Sequence, residues 1–399
     1  MDLPEEKKSV RPQSVGKMNI FLFFLLVFII LGLAFTVYMK NQNIDYRSIN
    51  LKDLANRVLH PKSLEVDAGS VTEIRYDLKE HPQFTVYRDL IIKCTGEYIK
   101  GLDKKGEEQW SIQYSMNNPM LRTNGSDLLV ADKGGKEICL IDGREIKWDK
   151  KLENNILTAD ISPSGYVSVL HEAKGYKGAV TVLNLQGNPF FTRYIGANVP
   201  LDAKISPGGK AVVINSIDIS GVSANTSLDF TDMQGNVTAN RLKQDMILPS
   251  MIYFKDGALA AAGDNYLVYL DKDRNEKWFQ DYKNGRIYCV GSALDKYLIV
   301  ACSGDSQQGA AGTSPAEIKI ISRTGKQAAS YRLDGDVRNM ETNGGTIAVN
   351  AGKEVYFINT GGNLVKKYTS KSDIDRVCFF NGQEAAVITK SSVEVIKIN

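Results

Sequence analysis

From Pro61 onward the chain alternates short apolar runs, rich in Val, Ile, Tyr and Phe, with polar clusters built around Gly, Asn, Asp and Pro. Runs of this length and composition are strand chemistry. They follow one order: an apolar strand, a Gly turn, two further apolar strands, another turn, and then often a Trp. The segments Gly101-Leu-Asp-Lys-Lys-Gly-Glu-Glu-Gln-Trp110, Leu140-Ile-Asp-Gly-Arg-Glu-Ile-Lys-Trp148 and Tyr269-Leu-Asp-Lys-Asp-Arg-Asn-Glu-Lys-Trp278 are variants of that phrase. Strand units repeating every ~35 to 50 residues predict a β-propeller, in which each unit is a four-stranded blade with strand a innermost and strand d outermost.

The a-to-b hairpins are the clearest part of each unit. Ala159-Asp-Ile-Ser-Pro-Ser-Gly165 and Ala203-Lys-Ile-Ser-Pro-Gly-Gly209 both end a strand with Pro, which presets φ, and Gly, which accepts a positive φ. Equivalent turns stand at Asn124-Gly125, Asp256-Gly257, Gly344-Gly345 and Asn381-Gly382. Units start near Phe84, Pro119, Ile156, Val199, Ile247, Arg286, Val337 and Ile374, so the chain is expected to be all-β, an eight-bladed β-propeller, with seven blades the alternative if one weak unit is miscounted. The last unit holds three strands, Arg376 to Phe380, Glu384 to Thr389 and Val393 to Ile398. Val71-Thr-Glu-Ile-Arg-Tyr76 supplies a fourth, so both termini share one blade and no open sheet edge is left at the join.

A different pattern precedes the repeats. Residues 19–39 carry no charge and include Phe21-Leu-Phe-Phe-Leu-Leu-Val-Phe-Ile-Ile-Leu-Gly-Leu-Ala-Phe35. At about 1.5 Å per residue this stretch is long enough to cross a hydrocarbon core of about 30 Å as a transmembrane helix. A cleaved signal peptide competes with that reading, but the run is long for one, no small-x-small site follows, and no Cys follows to carry a lipid. Lys7, Lys8, Arg11 and Lys17 precede the span and Lys40, Arg47 and Lys52 follow it, a bias toward a cytoplasmic N-terminus. The expected organisation is a short basic cytoplasmic tail (1–18), a signal-anchor helix (19–39), a linker (40–69) with a short amphipathic helix from Leu51 to Leu59, and a propeller (70–399) outside the cytoplasm.

Composition narrows the chemistry. A net charge of +3 spread over 399 residues gives no basic surface of the kind nucleic acid requires. Cys94, Cys139, Cys289, Cys302 and Cys378 are odd in number, scattered through apolar runs, and spaced for neither zinc nor a disulfide framework, which makes them buried small hydrophobes. Asp271-Lys-Asp-Arg-Asn-Glu276 begins like a calcium loop but puts Glu276 where the sharp turn needs Gly, so it is expected to be a c-to-d hairpin. His60, His81 and His171 are dispersed, and Trp110, Trp148 and Trp278 recur at one place in the unit, as blade-packing residues do.

The Asp-x-x-Gly-x-x-x-Trp phrases resemble the quinoprotein-like repeats of pyrroloquinoline quinone dehydrogenases and of outer-membrane assembly propeller lipoproteins. Ile-Ser-Pro-Ser-Gly and Ile-Ser-Pro-Gly-Gly resemble the inner hairpins of WD40-like and TolB-like propellers. The arrangement of basic tail, span and divergent propeller resembles the membrane-anchored propellers described in Firmicutes as a domain of unknown function. These resemblances imply fold and topology. The dehydrogenase family carries a vicinal Cys-Cys pair, a calcium site and a catalytic Asp, and this chain has no adjacent cysteines and no matching acidic motif.

With no catalytic or cofactor motif, the expectation is a non-catalytic, membrane-anchored docking or scaffold module whose partner is an envelope protein or an extracellular polymer. A binder or sensor of a small ligand or glycan, and a hydrolase or lyase at the central channel, are the alternatives. A scaffold predicts an exposed apolar patch, and an enzyme predicts ionisable groups converging on the channel. Most b-to-c connections are tight, but three are long: His171 to Gly178, Ile217 to Thr226 and Ser303 to Pro315. They share one face with the d-to-a connections, so Tyr176, Lys177, Asp218, Asn225, Gln307 and Gln308 are the candidate partner-binding residues.

Overall fold

The computed structural model describes residues 71–282, 285–303, 315–333 and 335–398. The tail, the span, the linker with its Leu51 to Leu59 helix, and Gln307 and Gln308 lie outside the described residues. Among the described residues the one helical element is a 3-10 turn, Leu78–Glu80, and no helix is long and apolar enough to cross a membrane.

Among the described residues, thirty-two strands form eight four-stranded antiparallel sheets, each a blade. Blade 1 runs Gln83–Tyr87, Leu90–Cys94, Tyr98–Leu102 and Glu108–Gln113. The inner strands of blades 2 to 8 begin at Pro119, Ile156, Val199, Ser250, Ile287, Asn339 and Ile374. Blade 8 is completed from the other end of the chain: Thr72–Arg75 pairs antiparallel with Ser392–Lys397, with Thr72 opposite Val395 and Arg75 opposite Ser392. The first strand therefore enters from the face that carries the a-to-b and c-to-d turns and runs toward the face that carries the b-to-c and d-to-a connections. These are called the turn face and the connection face below.

The b and c strands are apolar without alternation because both faces of every sheet are covered. In blade 2, Leu128 and Val130 join the cluster shared with blade 1, while Leu129 and Ala131 join the cluster shared with blade 3. The strand Glu137–Asp142 divides in the same way, with Cys139 and Ile141 to one side and Ile138 and Leu140 to the other. Eight apolar clusters result, one at each junction between neighbouring blades, including the junction of blade 8 with blade 1. Burying a Leu, Ile, Val or Phe side chain contributes about 1.5–3 kcal/mol, so the junctions hold the ring.

A second device repeats at the c-to-d turns. Their first residue is Asp or Asn in most blades, and its side-chain oxygen accepts two backbone N–H groups of the turn: Asp103 from Lys105 and Glu107, Asn184 from Gln186 and Asn188, Asp271 from Asp273 and Asn275. The fourth residue takes positive φ, and a d-strand side chain of the preceding blade lies over it: Ile74 over Gly106, Trp148 over Gly187, Phe191 over Gly235 and Trp278 over Gly325. Trp110 and Trp148 are buried in the junctions after their own blades, the packing role their repetition predicts. Asp271 to Asn275 is a turn of this type, with Arg274 at φ 68° in place of Gly. The Arg274 side chain compensates by donating to the Thr238 hydroxyl and lying over the Phe230 ring.

Candidate functional site: a pinned apolar rim and a charged channel

On the connection face, blades 3 and 4 differ from the rest. Of the fourteen large apolar side chains left exposed among the described residues, ten lie between Leu157 and Ile247. Leu157, Tyr176, Tyr194, Ile219, Val222, Leu242 and Ile247 are on the connection face by the direction of their strands, running from the channel mouth to the outer edge. Tyr176 is half exposed in the loop between Val167–His171 and Gly178–Leu183, and its ring meets that of Tyr194 at 4.9 Å.

The backbone that presents these groups is fixed by buried polar side chains. Asn215 donates to the Leu248 carbonyl at 2.6 Å, and Thr226 donates to the Met246 carbonyl at 2.8 Å while accepting from Leu248 N at 3.0 Å. Asn225 accepts from Asp245 N at 3.0 Å. Ile247 thus projects from a connection held at three points, and little chain entropy remains to be lost when something covers it.

Among the expected partner-binding residues, Tyr176 and Lys177 do occupy the long blade 3 loop, where Lys177 N donates to Ile195 O at 2.8 Å. Asp218 and Asn225 are placed differently from expectation. They are the terminal pair of the hairpin Ala211–Asp218 and Asn225–Asp232, directly opposite each other, because the blade 4 ladder continues one pair beyond Ile217 and Thr226. Asp218 accepts from Ser220, and Asn225 clamps the d-to-a connection, so both shape the loop. His171 is buried, bonded through Nδ1 to Glu172 O and through Nε2 to the Thr181 hydroxyl, both at 2.8 Å, a satisfied structural histidine.

The channel carries ionisable groups that the sequence reading did not single out. A cavity of about 710 Å³ is lined by the inner strands of blades 1, 2, 7 and 8, including Arg122, Glu341, Asp375, Arg376 and Cys378. A second, of about 390 Å³, lies against blades 2, 3 and 4 and includes Arg122, Lys133, Asp160, Asp202 and Lys204. The Lys204 ammonium is 2.7 Å from Asp160 and 4.0 Å from Asp202. Burial works against its charge, yet the two carboxylates outweigh burial and hold its pKa above the ordinary lysine value. Burial raises the Asp202 pKa, with Lys204 partly offsetting it. Glu341 is open to the channel and walled by protein elsewhere; desolvation raises its pKa, and Arg376 pulls it back in part. Burial pushes the Cys378 thiol up to about 11, so it is neutral at physiological pH.

These charges escaped notice because each stands in a separate blade, tens of residues from the next. Their signal was a charged residue inside an innermost apolar strand: Leu121-Arg122, Ala159-Asp160, Met340-Glu341 and Arg376-Val377. Exposed apolar side chains on the connection face and ionisable groups lining the channel are therefore both present. They occupy different parts of the ring.

Fold and surface together define an eight-bladed β-propeller with terminal-strand closure, a class of rigid ring that offers a rim and a channel. The chain belongs to the family of unknown function DUF5711, which it matches over residues 67–398. No curated protein sequence matches it. Among solved structures it is similar to BamB from Moraxella catarrhalis, with TM-score 0.52, 16% identity, and 82% of this chain aligned to 99% of that one. It is also similar to the C-terminal WD40 domain of Sif2, with TM-score 0.61, 10% identity, and 82% of this chain aligned to 97% of that one. At these identities the likeness is one of fold, the level at which the repeat phrases resembled quinoprotein-like and WD40-like propellers.

Proposed function

We propose that the protein is a non-catalytic docking module that binds a partner protein through the connection face of blades 3 and 4. The concentration of exposed apolar side chains there, seven on one face of two neighbouring blades, carries the reading. Exposed apolar side chains concentrated on one face of a rigid scaffold mark interaction sites, and aromatic anchors such as Tyr176 and Tyr194 supply much of the affinity in protein interfaces. The uncharged stretch 19–39 supports attachment to the membrane as a single pass with the propeller outside the cytoplasm, which suits an envelope protein as partner.

A photo-crosslinking residue at Ile219, incorporated into the full chain in its own membranes, tests the docking face. The expected result is a discrete adduct with one protein from position 219 and none from position 294, which is similarly exposed but lies in a blade 6 turn on the opposite face. Equal adducts from both positions, or none from 219, would overturn the assignment. Added protease that degraded the propeller only after the cells were broken would contradict the orientation.

A further inference from the structure

We infer that the 710 Å³ channel cavity is a binding site for a sugar acid, a polyhydroxylated ligand with one carboxylate, held by Arg122 and Arg376. The inference is independent of the docking face.

Arg122 on blade 2 and Arg376 on blade 8 line the same cavity from either side of blade 1. Both side chains are exposed to it, and among the described residues neither is in a salt bridge; the bond shown for Arg122 is to the carbonyl of its own neighbour, Leu121, at 2.9 Å. The other basic residue of that wall, Arg88, is engaged elsewhere, on Asp142 at 2.6 Å and on the Ser126 carbonyl. Two guanidinium groups free of salt bridges, each with donors to spare in one concave space, are arranged for an oxyanion, and a planar fork suits a carboxylate.

The rest of the wall restricts which anion fits. Glu341 and Asp375 face the same cavity, so a ligand with several negative charges, such as a polyphosphate, would meet repulsion. Carboxylates, the Asn343 amide and the amide oxygen of Asn339, whose nitrogen donates to the Asp375 carbonyl at 2.7 Å, are instead the groups that bond hydroxyls. One negative charge for the arginines and several hydroxyls for the acids and amides describe a sugar acid. The volume falls within the range of small-ligand sites, about 300–1,000 Å³, with room for more than one ring.

The test is calorimetric titration of the purified full chain with D-galacturonate, trigalacturonate, D-galactose and inorganic phosphate, repeated on Arg376→Gln, Arg376→Lys and Arg122→Gln. Arg193→Gln, on an outer strand of blade 3, serves as the control. Binding of either uronate that weakens about tenfold or more in both Gln variants, and stays unchanged in the control, is expected, because a charge-assisted pair is lost. Arg376→Lys keeps the charge without the fork, and it should bind between wild type and Arg376→Gln. Trimer binding without monomer binding would assign the ligand to a polymer, and monomer binding to a free sugar acid; both sustain the site. Galactose or phosphate binding as tightly as the uronates, unchanged affinity in the Gln variants, or no uronate binding up to about 10 mM would overturn it.

Discussion

Gly187 turns through φ 75°, and a Cβ there would come within 2.6 Å of Trp148 from the preceding blade. Gly257 has a φ of 91° and nothing within 4 Å of the same added atom. The two separate conformational from steric cost. Gly257→Ala should lose about 1–2 kcal/mol from backbone strain alone. Gly187→Ala adds about 1–3 kcal/mol of overpacking, and urea midpoints should rank wild type above Gly257→Ala above Gly187→Ala. Lys104 illustrates charge at the same scale: it lies 2.8 Å from both Asp89 of blade 1 and Glu384 of blade 8, over the Phe380 ring. The bond from Lys104 lowers the Glu384 pKa more than burial raises it. A lowered carboxyl pKa stabilises the fold above the unfolded value, near 4.3, and that contribution disappears as pH falls through the folded value. Glu384→Gln should therefore cost up to about 1 kcal/mol at neutral pH and converge with wild type once the pH has fallen below the lowered folded value, as read from melting temperatures across the acid range.

Among elements, the decisive one is the strand Thr72–Arg75, four residues that complete blade 8. Just beyond it, Tyr76 donates to the Thr389 carbonyl at 2.5 Å and sets its ring 4.8 Å from Phe84 of blade 1. A chain beginning at residue 77 should lose several kcal/mol relative to one beginning at residue 71, because Ile74 and Tyr76 leave the junction of blades 8 and 1. Its last strand would also expose an unpaired edge, and sedimentation should show self-association. Blade number, closure and nearly every turn were legible in the sequence because Gly, Pro, Asn and Asp mark turns by local rules that packing does not override. Where the reading slipped, packing was the cause. Blade 5, expected to start near Ile247, begins at Ser250, because buried Leu248 belongs to a connection that imitates a strand and Pro249 has no N–H to enter a ladder. Val337, placed at the start of blade 7, is likewise a buried connection residue before Asn339.

At the scale of the whole molecule, groups share a face or a cavity that local pattern kept apart. Long loops drew attention to Tyr176 and Lys177, and they do mark blade 3. The apolar rim, however, also takes Tyr194 and Leu242 from outer strands and Ile247 from a connection, which share the connection face once the blades are stacked. The channel was less legible still, since Arg122 and Arg376 come to line one cavity, on either side of blade 1, solely through closure of the ring. That closure has a mechanical corollary. The first strand enters at the turn face and points toward the connection face, where the proposed partner sits. Tension between residue 71 and that partner would run along the strand, loading its hydrogen bonds to Ser392–Lys397 in parallel, in shear, and not peeling them one after another. A strand loaded in this way resists pulling best along its own axis, the direction from the turn face to the connection face.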